Sequence, residues 1–232
     1  MSAIKGVLFD KDGTLFDFAT TWEAWAIGFL DRLADGPDAA AHLGAQIGFD
    51  YHGGRFTKDS IAIAGTPGDV ALALHPHMSG YTQEQILDLL NDEAAKAPQA
   101  EAVPLVPFLS GLIDRGLRLG VATNDAEAPT RAHLDAAHIL DRFAFIAGFD
   151  SGYGCKPDTG QLIAFARAIS TDTAAIVMVG DSTHDLLAGR AAGMRCVGVL
   201  TGLAERSVLE PHADAVFDDI GFLPDWIDAQ QG

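Results

Sequence analysis

Short, nearly continuous apolar runs alternate along the chain with stretches of helical apolar spacing. The runs are IKGVLFD (4–10), LRLGVATN (117–124), AFIAGFD (144–150), AAIVMVGD (174–181), RCVGVLTG (195–202) and ADAVFDD (213–219). Between them lie VPFLSGLIDRG with Gly116 as its stop, APTRAHLDAAHIL, PDTGQLIAFARAIS and HDLLAGRAAG. A strand that is apolar on both faces is covered on both faces, and parallel strands need a helical crossover to reach one another. The alternation therefore predicts an α/β fold on a parallel sheet, with the last run as an edge strand.

One stretch interrupts the pattern. From Phe18 to Glu101 no strand pattern stands out. TTWEAWAIGFLDRLA has helical spacing, with Thr20 or Thr21 as its N-cap. TPGDVALALHP opens on Thr66 as cap and Pro67 as first helical residue. TQEQILDLLNDEAAKA starts at Thr82 and has an acidic first turn. The expected organisation is a Rossmann-like core of residues 1–17 and 102–232, with residues 18–101 inserted as a mostly α-helical cap. AEAVPLVP (100–107) is the return linker.

Ligands of parallel sheets bind beyond the carboxyl ends of the strands, so the polar residues there are the candidate site. The first run ends in Asp10 and Asp12, the second in Thr123 and Asn124, and the fourth in GDSTHD with Asp181 and Asp185. Lys156 stands just before a helix expected to open at Pro157. Carboxylates at poorly solvated strand ends are costly unless something pairs with them. Their convergence asks for a hard cation with oxygen ligands, and magnesium fits best. One lysine, one threonine hydroxyl and helix N-terminal amides make a phosphate site. A net charge of −17 argues against nucleic acid and anionic membrane surfaces as partners. It leaves any anionic substrate dependent on local positive charge. No run reaches the ~20 apolar residues of a membrane span. The two cysteines, Cys155 and Cys196, form neither a disulfide framework nor a zinc spacing, so a cytoplasmic location is expected.

The motif set Asp10-Lys11-Asp12-Gly13-Thr14, Thr123, Lys156 and Gly180-Asp181-Ser182 with Asp185 resembles the haloacid dehalogenase superfamily of phosphohydrolases. GDSTHDLLAGRAAGM is close to its phosphoglycolate-phosphatase-like members, which carry a helical cap after the first motif. The resemblance implies a magnesium-dependent phosphatase acting on a small phosphorylated metabolite through an aspartyl-phosphate. It implies Asp10 as nucleophile and Asp12 as the acid and then the base. Lys156 and Thr123 would hold the phosphoryl group, with support from Asn124. Magnesium would be held by Asp10, the Asp12 backbone carbonyl and Asp181. Asp185 would act one shell out, orienting a water or Lys156. The turn that separates Asp12 from Asp10 relies on Gly13.

Other residues carry plainer readings. His75 and His77 are loop histidines, Cys196 is core, and Trp22, Trp25 and Phe29 are cap packing. In GFDYHGGRFTKDS (48–60), Arg55 and Lys58 could meet a substrate carboxylate or second phosphate, and Arg55 is the specificity candidate. A phosphomutase on the same machinery and a non-catalytic binding protein of the same fold are the alternatives.

Overall fold

The computed structural model describes residues 3–57 and 59–230. Its strands are β1 (Gly6–Phe9), β2 (Phe49–Asp50), β3 (Arg55–Phe56), β4 (Arg118–Ala122), β5 (Phe145–Ala147), β6 (Ile176–Gly180), β7 (Arg195–Val199) and β8 (Ala215–Phe217). Between β1 and β4 lie α1 (Phe18–Leu33), α2 (Pro37–Gln46), α3 (Ile61–Ala64), α4 (Pro67–Leu74) and α5 (Gln83–Ala94). The later helices are α6 (Leu105–Asp114), α7 (Glu127–Ala136), α8 (Gly160–Ala168), α9 (Thr183–Ala191), α10 (Arg206–Leu209) and α11 (Leu223–Ala229).

Six strands form one sheet in the order β5-β4-β1-β6-β7-β8, and every pairing in it is parallel. Period-two alternation sends successive side chains to opposite faces. Val7, Phe9, Val121 and Val179 pack against Leu109 of α6 and Leu223 of α11. Leu8 and Met178 pack on the other face against Leu162 and Phe165 of α8 and Ala188 of α9. Helices on both faces thus explain why the runs read as apolar throughout. Each such fully buried side chain stabilises the fold by about 1.5–3 kcal/mol.

β1 sits inside the sheet, between β4 and β6. The chain builds outward from it in both directions, and the crevice at such a reversal opens at the carboxyl ends of the central strands. The ends of β1, β4 and β6 therefore face one opening.

The segment between β1 and β4 has its own apolar cluster, with Phe29, Leu30, Phe49, Leu74, Ile86 and Leu90 at its centre. It is mostly helical, and it also contains the antiparallel hairpin β2–β3, which no strand pattern in the sequence announces, pairing Phe49 with Phe56 and Asp50 with Arg55. Strands of two residues are too short to show a period. The first helix is capped by Asp17, whose carboxylate accepts from Thr20 N at 2.8 Å, so it starts before Thr20 or Thr21. Thr66 and Thr82 are caps as expected, and each closes a reciprocal capping box, with Asp69 and Gln85 respectively. Helix α8 starts at Gly160 and not at Pro157. Among the described residues no helix is long and apolar enough to cross a membrane.

Candidate active site

The sheet ladder runs one residue beyond β1, because Asp10 N donates to Val179 O at 2.8 Å. The chain then turns tightly. Leu15 N and Phe16 N both donate to Lys11 O, at 2.9 and 3.1 Å, and Gly13 N donates to Phe16 O at 2.7 Å. Gly13 has φ 77°, and a Cβ there would overlap the Asp181 carboxylate. The turn and the close approach both require glycine.

Lys156 joins two strand ends. It is 4% exposed, and its Nζ donates to Asp10 Oδ1 at 2.7 Å and to Asp185 Oδ1 at 2.6 Å. The other oxygen of Asp185 accepts from Ser182 N at 3.0 Å and Ser182 Oγ at 2.7 Å, closing a capping box at the start of α9. Asp185 thus bridges Lys156 and Ser182, one carboxylate oxygen to each. Asn124, expected to support the phosphoryl site, is bonded to the backbone of Lys156. Its amide donates to Lys156 O at 2.9 Å and accepts from Lys156 N at 2.8 Å, so the side chain fastens the Lys156 loop to the end of β4. Buried Gln161 of α8 adds a clamp, donating to Thr123 O at 3.0 Å and Gly154 O at 3.1 Å. Thr123 is buried at the crevice, and its Oγ1 accepts from Asp125 N at 3.1 Å.

Asp10, Asp181 and Asp185 each place a carboxylate oxygen within 4.8 Å of the others. Burial pushes the Asp10 carboxyl up to about 7 against the pull of Lys156, and burial with Asp10 nearby raises Asp181 well above the carboxylate range. Burial opposes the charge on Lys156, but Asp10 and Asp185 outweigh it and raise the ammonium. Three buried carboxylates with one ammonium leave excess negative charge. Their oxygen-only donor set in so small a space fits a hard divalent cation. The cradle is tight: a Cβ at Gly202 would also overlap Asp181.

A second cluster adjoins Asp12. Lys11 is fully buried, and its Nζ lies 2.7 Å from both carboxylate oxygens of Asp12. The same Nζ lies 3.2 Å from Asp125 Oδ2 and 3.1 Å from His133 Nδ1. His133 Nε2 is 2.7 Å from Ala94 O. A carbonyl only accepts, so Nε2 carries the proton and Nδ1 accepts from Lys11. Burial, with Lys11 next to it, pushes His133 down to about 4, in keeping with that neutral ring. Trp22 Nε1 donates to Asp12 Oδ1 at 2.8 Å. No local pattern in the sequence marks Lys11, Asp125 or His133 for a role, and the helical spacing of Trp22 reads as packing. The one available signal was a lysine between two aspartates, which has to be neutralised somewhere.

A cavity runs from Asp10, Asp12, Thr123 and Lys156 up to Trp22, Trp25, Phe56 and Val70 of the segment above. Arg55 is not brought to it. Phe56 lines the cavity, and strand alternation turns neighbouring Arg55 to solvent. Lys58 lies outside the described residues. His75 and His77 form an exposed turn, where His77 Nδ1 meets His42 Nε2 at 3.0 Å. Cys196 is buried, and burial pushes its thiol up to about 12; Cys155 is half-buried.

Residues 4–193 match the family described as haloacid dehalogenase-like hydrolase. A phosphoglycolate phosphatase of Rhodospirillum rubrum is 37% identical over 120 residues, covering 52% of this chain and 50% of that protein. One of Neisseria meningitidis is 30% identical over 226 residues, covering 97% of this chain and 89% of that protein. The crystal structure of CbbY from Rhodobacter sphaeroides in complex with phosphate shares the fold at TM-score 0.69, with 20% identity, over 94% of this chain and 96% of that one. The matched span and the near full-length relative establish the family: the chain belongs to the haloacid dehalogenase-like hydrolases.

Proposed function

We propose that the protein is a magnesium-dependent phosphatase that hydrolyses a small phosphomonoester through an aspartyl-phosphate on Asp10. The observation that carries this is Lys156, held between Asp10 and Asp185 at the floor of a cavity large enough to admit an ester. An ammonium has three protons. Two are given to carboxylates, and the third is left for a phosphoryl oxygen. Lys156 also holds Asp10 Oδ1, which restrains the orientation of that carboxylate.

In the first step a carboxylate oxygen of Asp10 bonds to phosphorus while the bond from phosphorus to the alcohol oxygen breaks. Asp12 gives its proton to the departing oxygen. In the second step Asp12, now a carboxylate, takes a proton from water as the water oxygen bonds to the same phosphorus and Asp10 is released. Thr123 Oγ1 and Lys156 stabilise charge on the phosphoryl oxygens through both steps. Asp10, Asp181 and the Asp12 backbone carbonyl would hold magnesium, which supplies charge compensation for the phosphoryl group.

The helical segment 18–101 acts in this reading as a cap on the core of residues 1–17 and 102–232. Its two connections run side by side: Asp17 N donates to Ala100 O at 2.8 Å and Ala102 N to Leu15 O at 2.9 Å. A paired connection lets the cap swing as a unit, admitting substrate and then excluding water. The relatives named phosphoglycolate phosphatase support the reaction class. The test is phosphate release from a panel of small phosphomonoesters, with magnesium and with a chelator. Release that needs magnesium is expected. No release from any ester, with or without metal, would contradict the reading.

A further inference from the structure

Resting on that phosphatase reading, we infer that the alcohol released from the substrate is uncharged and carries an apolar group of about the size of an aromatic ring. The wall opposite the catalytic floor is built from Trp22, Trp25, Phe29, Phe56, Ile63 and Val70. Trp25 stacks on Phe29 with ring centroids 4.9 Å apart and planes 10° from parallel, and Trp22 meets Trp25 edge-on at 5.1 Å. The wall is thus a continuous aromatic surface set by its own contacts. Phe29, Phe56 and Val70 are themselves buried in the apolar cluster of that segment.

Apart from Lys156, the lysines and arginines among the described residues lie off the cavity lining. Among the described residues lining the cavity, Lys156 is the only lysine or arginine. Two of its protons are committed to Asp10 and Asp185, and the third is required by the phosphoryl group. The other cation near the floor, Lys11, is fully buried among Asp12, Asp125 and His133. Arg55 is exposed on β3 and does not line the cavity. A leaving group that bears a carboxylate, as phosphoglycolate does, would therefore enter a largely aromatic chamber in which no lysine or arginine among the described residues is left to pair with it, the other polar groups of the lining including Thr66, Ser182, His184 and the unpartnered indole Nε1 of Trp25. It would also face the carboxylates of Asp12 and Asp125. Desolvating an unpaired charge is strongly unfavourable, whereas an apolar group gains from the same surroundings. The chamber accordingly selects against the substrate named in the relatives.

The test uses esters of primary alcohols, so that leaving-group chemistry stays similar: ethyl phosphate, 2-phenylethyl phosphate and phosphoglycolate. kcat/KM is measured for each on the whole protein with magnesium. The phenyl ester should exceed ethyl phosphate by roughly tenfold or more, the lower end of what one methylene gains in an apolar pocket. Phosphoglycolate should fall below ethyl phosphate. Trp25→Ala and Ile63→Ala should each shrink the phenyl advantage, and the second serves if the first does not fold. Phosphoglycolate turned over as well as or better than the phenyl ester would overturn the inference and leave the phosphatase reading intact. So would equal rates on the ethyl and phenyl esters. No turnover of any of the three, while other phosphomonoesters are hydrolysed, also overturns it. No turnover of any ester at all would overturn the phosphatase reading itself.

Discussion

Asp12 is held by two donors, Lys11 Nζ at 2.7 Å and Trp22 Nε1 at 2.8 Å, one from its own loop and one from α1. Asp10 is held by Lys156, which donates to its Oδ1 at 2.7 Å. The two carboxylates, two positions apart, thus answer to different cations, and this separates their roles. Asp12→Asn should slow turnover by about 10²–10⁴, the usual loss for an acid–base group. An aryl ester, whose oxygen needs less help in leaving, should lose less of the first step than an alkyl ester. Rapid-quench measurement of that step with both esters checks this, and equal losses would remove Asp12 from the acid role. Removing Lys11 would leave Asp12, Asp125 and His133 together without the ammonium that joins them. Breaking a buried charge pair by deleting one partner costs about 3–5 kcal/mol. Lys11→Met should therefore lower the unfolding free energy by that order in denaturant titration, well beyond a surface lysine.

At the scale of elements, the catalytic groups sit where strands end and turn. Gly13 shows how little freedom such a turn has, with φ 77° and its open side filled by the Asp181 carboxylate. Gly13→Ala should displace Asp181 or the Asp12 carbonyl and abolish magnesium-dependent phosphate release. It should also remove the thermal shift that magnesium gives the parent protein. The strand ends were legible in the sequence because β1, β4 and β6 are apolar on both faces and each stops at a polar residue. Asp10, Thr123 and Asp181 follow directly from that pattern. Lys156 was legible by its motif, although α8 begins at Gly160 and the intervening turn is not helical. What escaped has a physical reason in each case. Hairpin β2–β3 is too short to carry a period. Asn124 and Gln161 act on backbone groups of a distant loop, and no local spacing encodes such a partner. Lys11 and His133 lie 122 positions apart and meet only once the sheet is assembled.

At the scale of the whole molecule, the sheet gathers negative charge at one edge and the helical segment closes over it. His133 of α7 reaches Ala94 at the end of α5, so the network behind Asp12 is also a tie between the two parts. Gathered charge has a pH signature. Burial holds the Asp10 carboxyl at about 7 in the folded protein without metal, above its unfolded value. Between the two values the folded state keeps a proton that the unfolded state gives up. The stability from this group is therefore full in acid and lost as pH rises through about 7. A divalent cation replaces the missing proton, so the rise in Tm on adding magnesium should be larger at about pH 8 than at about pH 5. A rise equal at both, or none, would show that the carboxylates are not its ligands. The central claim is that phosphorus is transferred to Asp10. It is tested most directly by acid-quenching the enzyme during turnover and locating the phosphoryl group by peptide mass spectrometry, using Asp12→Asn to slow its loss. The account predicts one phosphoryl group on the peptide at Asp10, and none in Asp10→Asn, which should also release no phosphate. Steady phosphate release with no adduct at Asp10, and undiminished by Asp10→Asn, would contradict it.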